Sequence, residues 1–570
     1  MQTLIANATV VDGSGAPRYR ADVLIDGAVI AAIAEPGTLP AAGDVVDRVI
    51  EAEGLVLSPG FIDMHAHSDL QLLLNPGHFA KLSQGVTTEL LGQDGLSYAP
   101  VDDATLAAVR VKIAGWNDNP EDFDWDWRTV GEYLDRLDRA EGRGAEGESG
   151  AESGTGGESG AGPDGGAARI AVNAAYLVPQ GTVRALVMGF EDRAASAEDV
   201  ARMQEVVRTA MEEGAVGMSS GLTYTPGMYA TTEELAALCR TVGELGGFYA
   251  PHHRSYGKNA LGAYAEMIGL SREAGCPLHL SHATMNFPEN KGRAGELLAL
   301  IDEALDADAD ITLDTYPYLP GSTTLSAILP SWASSGGTDA TLARLEDPET
   351  RALIRETVEV YGSDGCHGVV ADWNTIEVSG VQNAALAGYI GRTVEAIAAD
   401  EGREPFDVFA GILVADRCGT GIIQHVGHEE NVRAIMVHRA HTGGSDGLLV
   451  GGKPHPRAWG TFPRYLGHYC RELGLMSLEE TVHHLTGRPA ARLKLVRRGL
   501  VREGFAADLV LFDPATVADR ATFEEPRRPA VGIHHVFVNG TAAISDGQPT
   551  GARAGRALRR TPEGTEPSHD

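Results

Sequence analysis

Hydrophobic and polar positions divide the chain into a long middle and two similar ends. Residues 1–57 carry short Val/Ile-rich runs broken by Gly and Asp, as in TLIANATVVD, a pattern that predicts short strands joined by turns. Residues 490–555 repeat it in ADLVLFD and HHVFVNGTAAISDG, where Asn539-Gly540 sits between two apolar runs as in a tight hairpin. Two strand-rich ends around a long middle predict one small β-sandwich domain built from both termini.

In the middle, residues 58–489, strand-like and helical patterns alternate. The apolar runs are GFIDMHAHSD, GVTTELLG, ARIAVNAAYLV, GAVGMSSGL, GGFYAPHHR, PLHLSH, ITLDTYPY and VRAIMVHR. Amphipathic stretches such as TTEELAALCRTVGEL and GRAGELLALIDEALDA lie between them. Strands that alternate with helices argue for a parallel sheet, and eight of them suit a closed barrel. The predicted fold is therefore α/β, a (β/α)8 TIM barrel with the small β-sandwich attached. Residues 323–425 are an excess between the last two strands and read as a helical insertion near the site.

Two segments lack the apolar residues that would repay ordering. Residues 140–168 are a Gly/Glu/Ser/Ala tract and read as a disordered loop, and residues 556–570 as a disordered tail. The tract contains a formal GxGxxG at Gly160 to Gly165, but no strand precedes it and Pro163 interrupts it, so it does not read as a phosphate loop.

Composition narrows the partners. The 570 residues carry a formal charge of -33, which repels phosphate backbones and anionic lipid, so neither nucleic acid nor a membrane is expected. No run approaches the ~20 apolar residues of a membrane span, and the start lacks the basic and apolar regions of a signal peptide. The five cysteines, Cys239, Cys276, Cys366, Cys418 and Cys470, are odd in number and far apart, as in a reduced cytoplasmic protein. An oligomer is left open.

The chemistry begins at His65-Ala66-His67. Alternate residues on a strand share a face, so two imidazoles at this spacing can bind one ion from a strand end. Pro59-Gly60 before the strand and Ser68-Asp69 after it place the pair at the C-terminal mouth, where barrel sites lie. His252 and His282 end the fifth and sixth apolar runs and extend the ligand set, while His253 should face the other way. Imidazole and carboxylate suit Zn²⁺, as one or two ions. Asp446, in HTGGSDGLLV after the eighth strand, is placed to act as general acid/base. Asp94, in LLGQDGLSYAP, is a further ligand or a turn residue, since Asp-Gly also marks turns.

Together these residues resemble the amidohydrolase superfamily, and within it the N-acyl-D-amino-acid deacylases (D-aminoacylases). The resemblance runs over nearly the whole chain, through SPGFIDMHAHSD, Gly92-Gln93-Asp94-Gly95, SSGLTYTPGMYA, YAPHHR, LSHATM, DTYPYLPGST and GSDG followed by PHPRAWGTFPR. It implies a metallo-barrel plus β-sandwich, with His65, His67, His252 and His282 as zinc ligands and Asp446 as general acid/base. It implies a small-molecule N-acyl amino acid as substrate, with Tyr316 and Ser322 holding its carboxylate or the developing oxyanion and Arg254 adding positive charge.

Three positions depart from that family's pattern. Asp94 stands where a metal-ligating Cys is usual, and carboxylate is the harder ligand. Thr284 replaces a lysine that often follows the sixth-strand His, leaving Lys291 to supply charge from a longer loop; this favours apolar D-amino acids over acidic ones. Gln180 stands where His is frequent. The alternatives are a cyclic-amide hydrolase of hydantoinase or dihydroorotase type, a dipeptidase of the same superfamily, and a non-catalytic barrel. The fourth run, AVGMSSGL, lacks the lysine that cyclic-amide hydrolases carboxylate to bridge two metals, and the retained histidines argue against the last.

Overall fold

The alternating runs at the two chain ends pair with each other. In the computed structural model, which describes residues 1–39, 46–140 and 169–567, they form a single nine-stranded sheet. Strand Val56–Pro59 is its seam: Gln2–Val10 lies parallel on one side, and Leu509–Phe512 antiparallel on the other. Ile5, Val10, Val23, Ile25, Leu57, Leu509, Leu511 and Phe537 share one buried cluster, each aliphatic burial contributing about 1.5–3 kcal/mol. Asn539 and Gly540, at φ 49 and 76, make the turn between Ile533–Val538 and Thr541–Ser545.

The sheet runs into the barrel through Gly60, where a Cβ would lie 2.2 Å from the Thr87 methyl, so only glycine fits. Eight parallel strands follow in chain order: Phe61–Asp63, Val86–Leu91, Asn173–Pro179, Gly217–Gly221, Tyr249–His252, Leu278–Leu280, Ile311–Thr315 and His441–Gly443. The eighth is tied to the first. Met64 N–H donates to Gly443 O at 3.1 Å, Asp446 N–H donates to His65 O at 2.8 Å, and Ala66 bridges Gly447 in parallel. The helices outside follow from their apolar spacing and caps: Ala197–Glu212 buries Met203, Val207, Ala210 and Met211 and starts on a Ser196/Asp199 capping box.

Three sequence expectations need correction. VRAIMVHR is not the eighth strand. Glu429–Met436 is a helix that buries Val432, Ile435 and Met436 on one side, a 3.6-residue spacing inside an apolar run, and the strand follows at His441–Gly443. The insertion, residues 323–425, is not helical alone. Its helices pack on a three-stranded antiparallel sheet of Gly321–Thr324, Gly421–Gln424 and Ile376–Gly380, too short to stand out from the surrounding helical pattern. The segment after Gly555 is an ordered hairpin, Leu558–Thr561 with Gly564–Pro567, because the barrel wall supplies the partners its composition lacks. Ala557 and Leu558 are fully buried, and Ala557 N–H donates to Asp138 Oδ1 at 2.9 Å. Residues 141–168, including the glycine-rich hexapeptide, lie outside the described residues. Among the described residues no helix is long and apolar enough to cross a membrane.

A buried ionic cluster sits where the first, second and eighth strands meet. Lys81 Nζ, with no exposed surface, reaches Asp63 Oδ2 at 2.5 Å, Glu89 Oε1 at 3.0 Å and Ser445 Oγ at 2.8 Å. His78 Nε2 lies 2.8 Å from Glu89 Oε2. Burial pushes the Glu89 carboxyl up, but His78 and Lys81 outweigh it and hold it at about 2, against an ordinary 4.5. A carboxyl depressed in the folded state contributes stability that is complete above its unfolded pKa and lost below it. Unfolding free energy should therefore fall as pH drops from 4.5 toward about 2, and Glu89→Gln should flatten that slope in urea titrations. An unchanged slope in the variant would show that other groups carry the acid sensitivity.

Candidate metal centre and catalytic cavity

The predicted ligands arrive from four strand ends. His65 and His67 follow the first strand and, by alternation, turn to one side; both are buried. His252 ends the fifth strand and His282 follows the sixth. His253 takes the opposite face, as expected, and its ring packs between Tyr256 and Tyr264 with centroids 4.0 Å from each. Three site residues, Asp94, His282 and Asp446, hold positive φ of 55, 33 and 48. Such backbone is costly for a side chain other than glycine and clusters at functional sites.

Asp94 lies at the centre. Its turn is set by glycines on either side: a Cβ on Gly92 would sit 2.2 Å from Leu177 O, and one on Gly95 2.5 Å from Gly221 N. Asp94 Oδ1 is 3.5 Å from His65 Nε2 and 3.4 Å from His282 Nε2. Its Oδ2 is 3.6 Å from His67 Nε2 and 3.5 Å from His252 Nδ1. Burial opposes its ionisation, yet His65, His282 and His252 hold its carboxyl well below the usual range. Asp446 Oδ1 stands 3.2 Å from His67 Nε2 and 3.8 Å from His65 Nε2.

Two overlapping groups emerge that could each hold an ion: His65, His67, Asp94 and Asp446, and Asp94, His252 and His282. The donor set fits a divalent metal. Both ring nitrogens of fully buried His65, and Asp94 Oδ1, have no hydrogen-bond partner among the described residues, and such orphaned buried groups are costly unless something else satisfies them. Outer contacts orient the rings: Thr223 Oγ1 lies 2.7 Å from His252 Nε2, while Asp314 accepts from His282 N–H at 3.0 Å and stands 3.7 Å from His65 Nδ1.

The cluster opens on a cavity lined by Asp94, His252, His282, Asp446, Tyr316 and Ser322, with further walls from Thr284 and the insertion. Burial pushes the Tyr316 phenol up to about 12, so it keeps its proton and can donate. Ser322 Oγ donates to Ile422 O at 2.9 Å, leaving only its lone pairs free. Neither Arg254 nor Lys291 lines the cavity. The fifth strand ends at His252, so alternation no longer directs Arg254 inward; its Nε donates to Glu266 Oε1 at 3.0 Å and its Nη2 to Ala230 O at 2.7 Å. Lys291 is exposed beyond the Pro288–Asn290 turn. Gln180 is buried elsewhere, donating to Glu234 Oε1 at 3.3 Å.

Arg457 was not singled out from the sequence. It is fully buried, its Nη2 lies 2.9 Å from Asp446 Oδ2, and its guanidinium stands 4.4 Å over the Tyr316 ring. Nε and Nη1 have no partner among the described residues. Burial pushes the Asp446 carboxyl up, but Arg457 first, then His67, His65 and His282, hold it down at about 2. Asp446 and Arg457 lie on opposite sides of an irregular loop, so no periodic pattern links them; the only signal was an arginine inside the PHPRAWG motif.

Comparison with known proteins gives the chain's family. Residues 48–145 and 158–544 match the model of the amidohydrolase family. A D-aminoacylase of Alcaligenes xylosoxydans xylosoxydans is 36% identical over 98% of this chain and 97% of its own. A crystal structure of D-aminoacylase superposes with a TM-score of 0.77 at 35% identity, covering 98% of this chain and 99% of that one. An N-acyl-D-glutamate deacylase from Bordetella bronchiseptica, solved with zinc and a phosphonate mimic of the tetrahedral intermediate, gives 0.76 at 31% identity, with 98% and 99% covered.

If Asp94 joins both ligand groups, Asp94→Ala should lose tightly held divalent metal on dialysis, while Arg254→Ala should retain it. Elemental analysis of the two purified variants reads this directly. Equal metal in the Asp94→Ala and parent proteins would remove Asp94 from the centre.

Proposed function

From the premise that this chain belongs to the amidohydrolase family, we propose that it hydrolyses the amide bond of N-acyl-D-amino acids in a zinc-dependent reaction, releasing a D-amino acid and a carboxylate. The observation that carries the reading is a buried carboxylate, Asp94, within 3.4–3.6 Å of four imidazole nitrogens, with the Asp446–Arg457 pair beside it. His65, His67, Asp94, His252 and His282 would hold the metal. A divalent ion there supplies Lewis acidity that polarises an acyl oxygen and acidifies water.

The chain's own groups do the rest. Arg457 engages Asp446 Oδ2 and leaves Oδ1 turned to His67, so the carboxylate is ionised and fixed as a proton acceptor. It takes the proton of the attacking water and returns it to the departing nitrogen, as microscopic reversibility requires of one acid/base group. Tyr316, protonated and at the cavity wall, donates to the oxygen on which charge develops or to the substrate carboxylate. Arg457 stands behind Asp446 and the Tyr316 ring rather than on the cavity surface, and it contributes by fixing those two groups, with Nε and Nη1 left unpartnered among the described residues.

Asp446→Asn should lower kcat on N-acetyl-D-amino acids by about 10²–10⁴-fold with metal content unchanged. A rate near that of the parent protein would rule out its acid/base role. A panel of N-acetyl-D- and N-acetyl-L-amino acids and hydantoins tests the substrate class, and turnover of only the L or cyclic compounds would overturn it.

A further inference from the structure

The cavity wall away from Tyr316 is built by two segments that the reaction leaves unused. The loop after the sixth strand contributes Thr284, Asn286 and Phe287, the insertion contributes His367 and Gln424, and Val426 follows it. Among the described residues lining the cavity there is no lysine and no arginine. Two nitrogen donors on this wall are free. Tyr256 N–H donates to His367 Nδ1 at 3.4 Å, so the ring hydrogen sits on Nε2, which has no protein acceptor among the described residues. Asn286 Oδ1 accepts from Thr284 Oγ1 at 2.7 Å, which leaves the Nδ2 amide likewise without an acceptor.

The His367 ring cannot swing out easily. It stacks on His252 at a centroid distance of 6.3 Å, and Phe287 and Tyr256 stand 5.5 Å from it on other sides. Its own carbonyl accepts from Lys258 N–H at 3.1 Å and from Ser255 Oγ at 3.1 Å, which pins the loop. A donor held this way selects by what it is denied. A substrate with an oxygen at this wall restores hydrogen bonds that an aliphatic side chain would leave unmade. A carboxylate would accept too, but it would be desolvated on a wall that offers no cation.

We infer that His367 and Asn286 are specificity-determining residues that require an uncharged hydrogen-bond acceptor in the amino-acid side chain, so that the class served is N-acyl-D-amino acids with carboxamide side chains. This rests on the D-aminoacyl hydrolase reading, and it replaces the expected preference for apolar side chains with one for neutral polar ones.

The test measures kcat/KM of the zinc-loaded enzyme on N-acetyl-D-glutamine, N-acetyl-D-asparagine, N-acetyl-D-leucine and N-acetyl-D-glutamate. The parent should favour one of the two amides over leucine and glutamate by about tenfold or more. His367→Phe should lose about tenfold on the amides and stay within about threefold on leucine, and His367→Gln, which keeps a donor, should recover most of the loss. Asn286→Leu gives an independent second variant, with the same selective loss expected. Equal loss on all four substrates, or a parent enzyme that prefers leucine or glutamate, overturns the inference while leaving the hydrolase reading intact. Turnover of none of the four by metal-loaded parent enzyme sinks the hydrolase reading, and the inference with it.

Discussion

An ionised carboxylate that touches four imidazoles, and almost no water, can exist only if the chain holds it there against two costs. One is desolvation, which pushes the Asp94 carboxyl up and so opposes its charge. The other is backbone strain, since Asp94 sits at φ 55 in a turn that Gly92 and Gly95 make sterically feasible. Both costs are offset by opposite charge: histidines from the first, fifth and sixth strands, or the cations they would hold. Because each oxygen of Asp94 faces one histidine of each pair, moving this turn by an ångström would disturb both ligand groups together. The rest of the site is arranged around that constraint.

The supporting layer is ionic rather than apolar. Asp63 accepts from the backbone N–H of His65 at 3.2 Å and of Ser445 at 2.8 Å, and Lys81 neutralises it. One buried salt bridge thus fixes both the first-strand histidines and the residue before Asp446. Asp314 does the same on the other side, holding the His282 backbone while facing His65 and His279. Buried pairs of this kind add little net stability, but removing one partner is severe. They hold side chains from distant strands in register, which a smooth hydrophobic contact would do less well.

Much of this was legible in the sequence, and the reason differs by feature. HxH at a strand end is a local pattern, and period-two alternation is enough to place His65 and His67 together and to turn His253 away from His252. The barrel was legible because strand and helix periodicities differ and alternate. The eighth strand was misplaced because three residues, HTG, carry too little pattern to compete with the amphipathic helix just before them. The terminal hairpin reads as disorder in the sequence because the partners of this segment, Asp138 and Gly214 among them, lie hundreds of residues away. Arg254 lies two residues from a ligand in sequence yet turns to Glu266, whereas Arg457, with no such neighbour, reaches Asp446. Charge placement depends on side-chain trajectories past the ends of regular structure, where alternation no longer applies.

The overall charge sharpens the role of that one arginine. With a formal charge of -33, the protein's long-range field opposes the approach of an anionic N-acyl amino acid, although salt screens it beyond about 8–10 Å. Attraction must then be local and short-ranged. Arg457, buried behind the cavity wall, serves this through the groups it holds, Asp446 and Tyr316, which do line the cavity. A surface lysine in its place would gain little over water and would pay side-chain entropy on binding. The same logic explains why the far wall can forgo charge altogether. On the proposed reading, a substrate carboxylate held at Tyr316 would leave selectivity for the side chain to fixed neutral donors, whose worth lies in what they withhold from the wrong substrate.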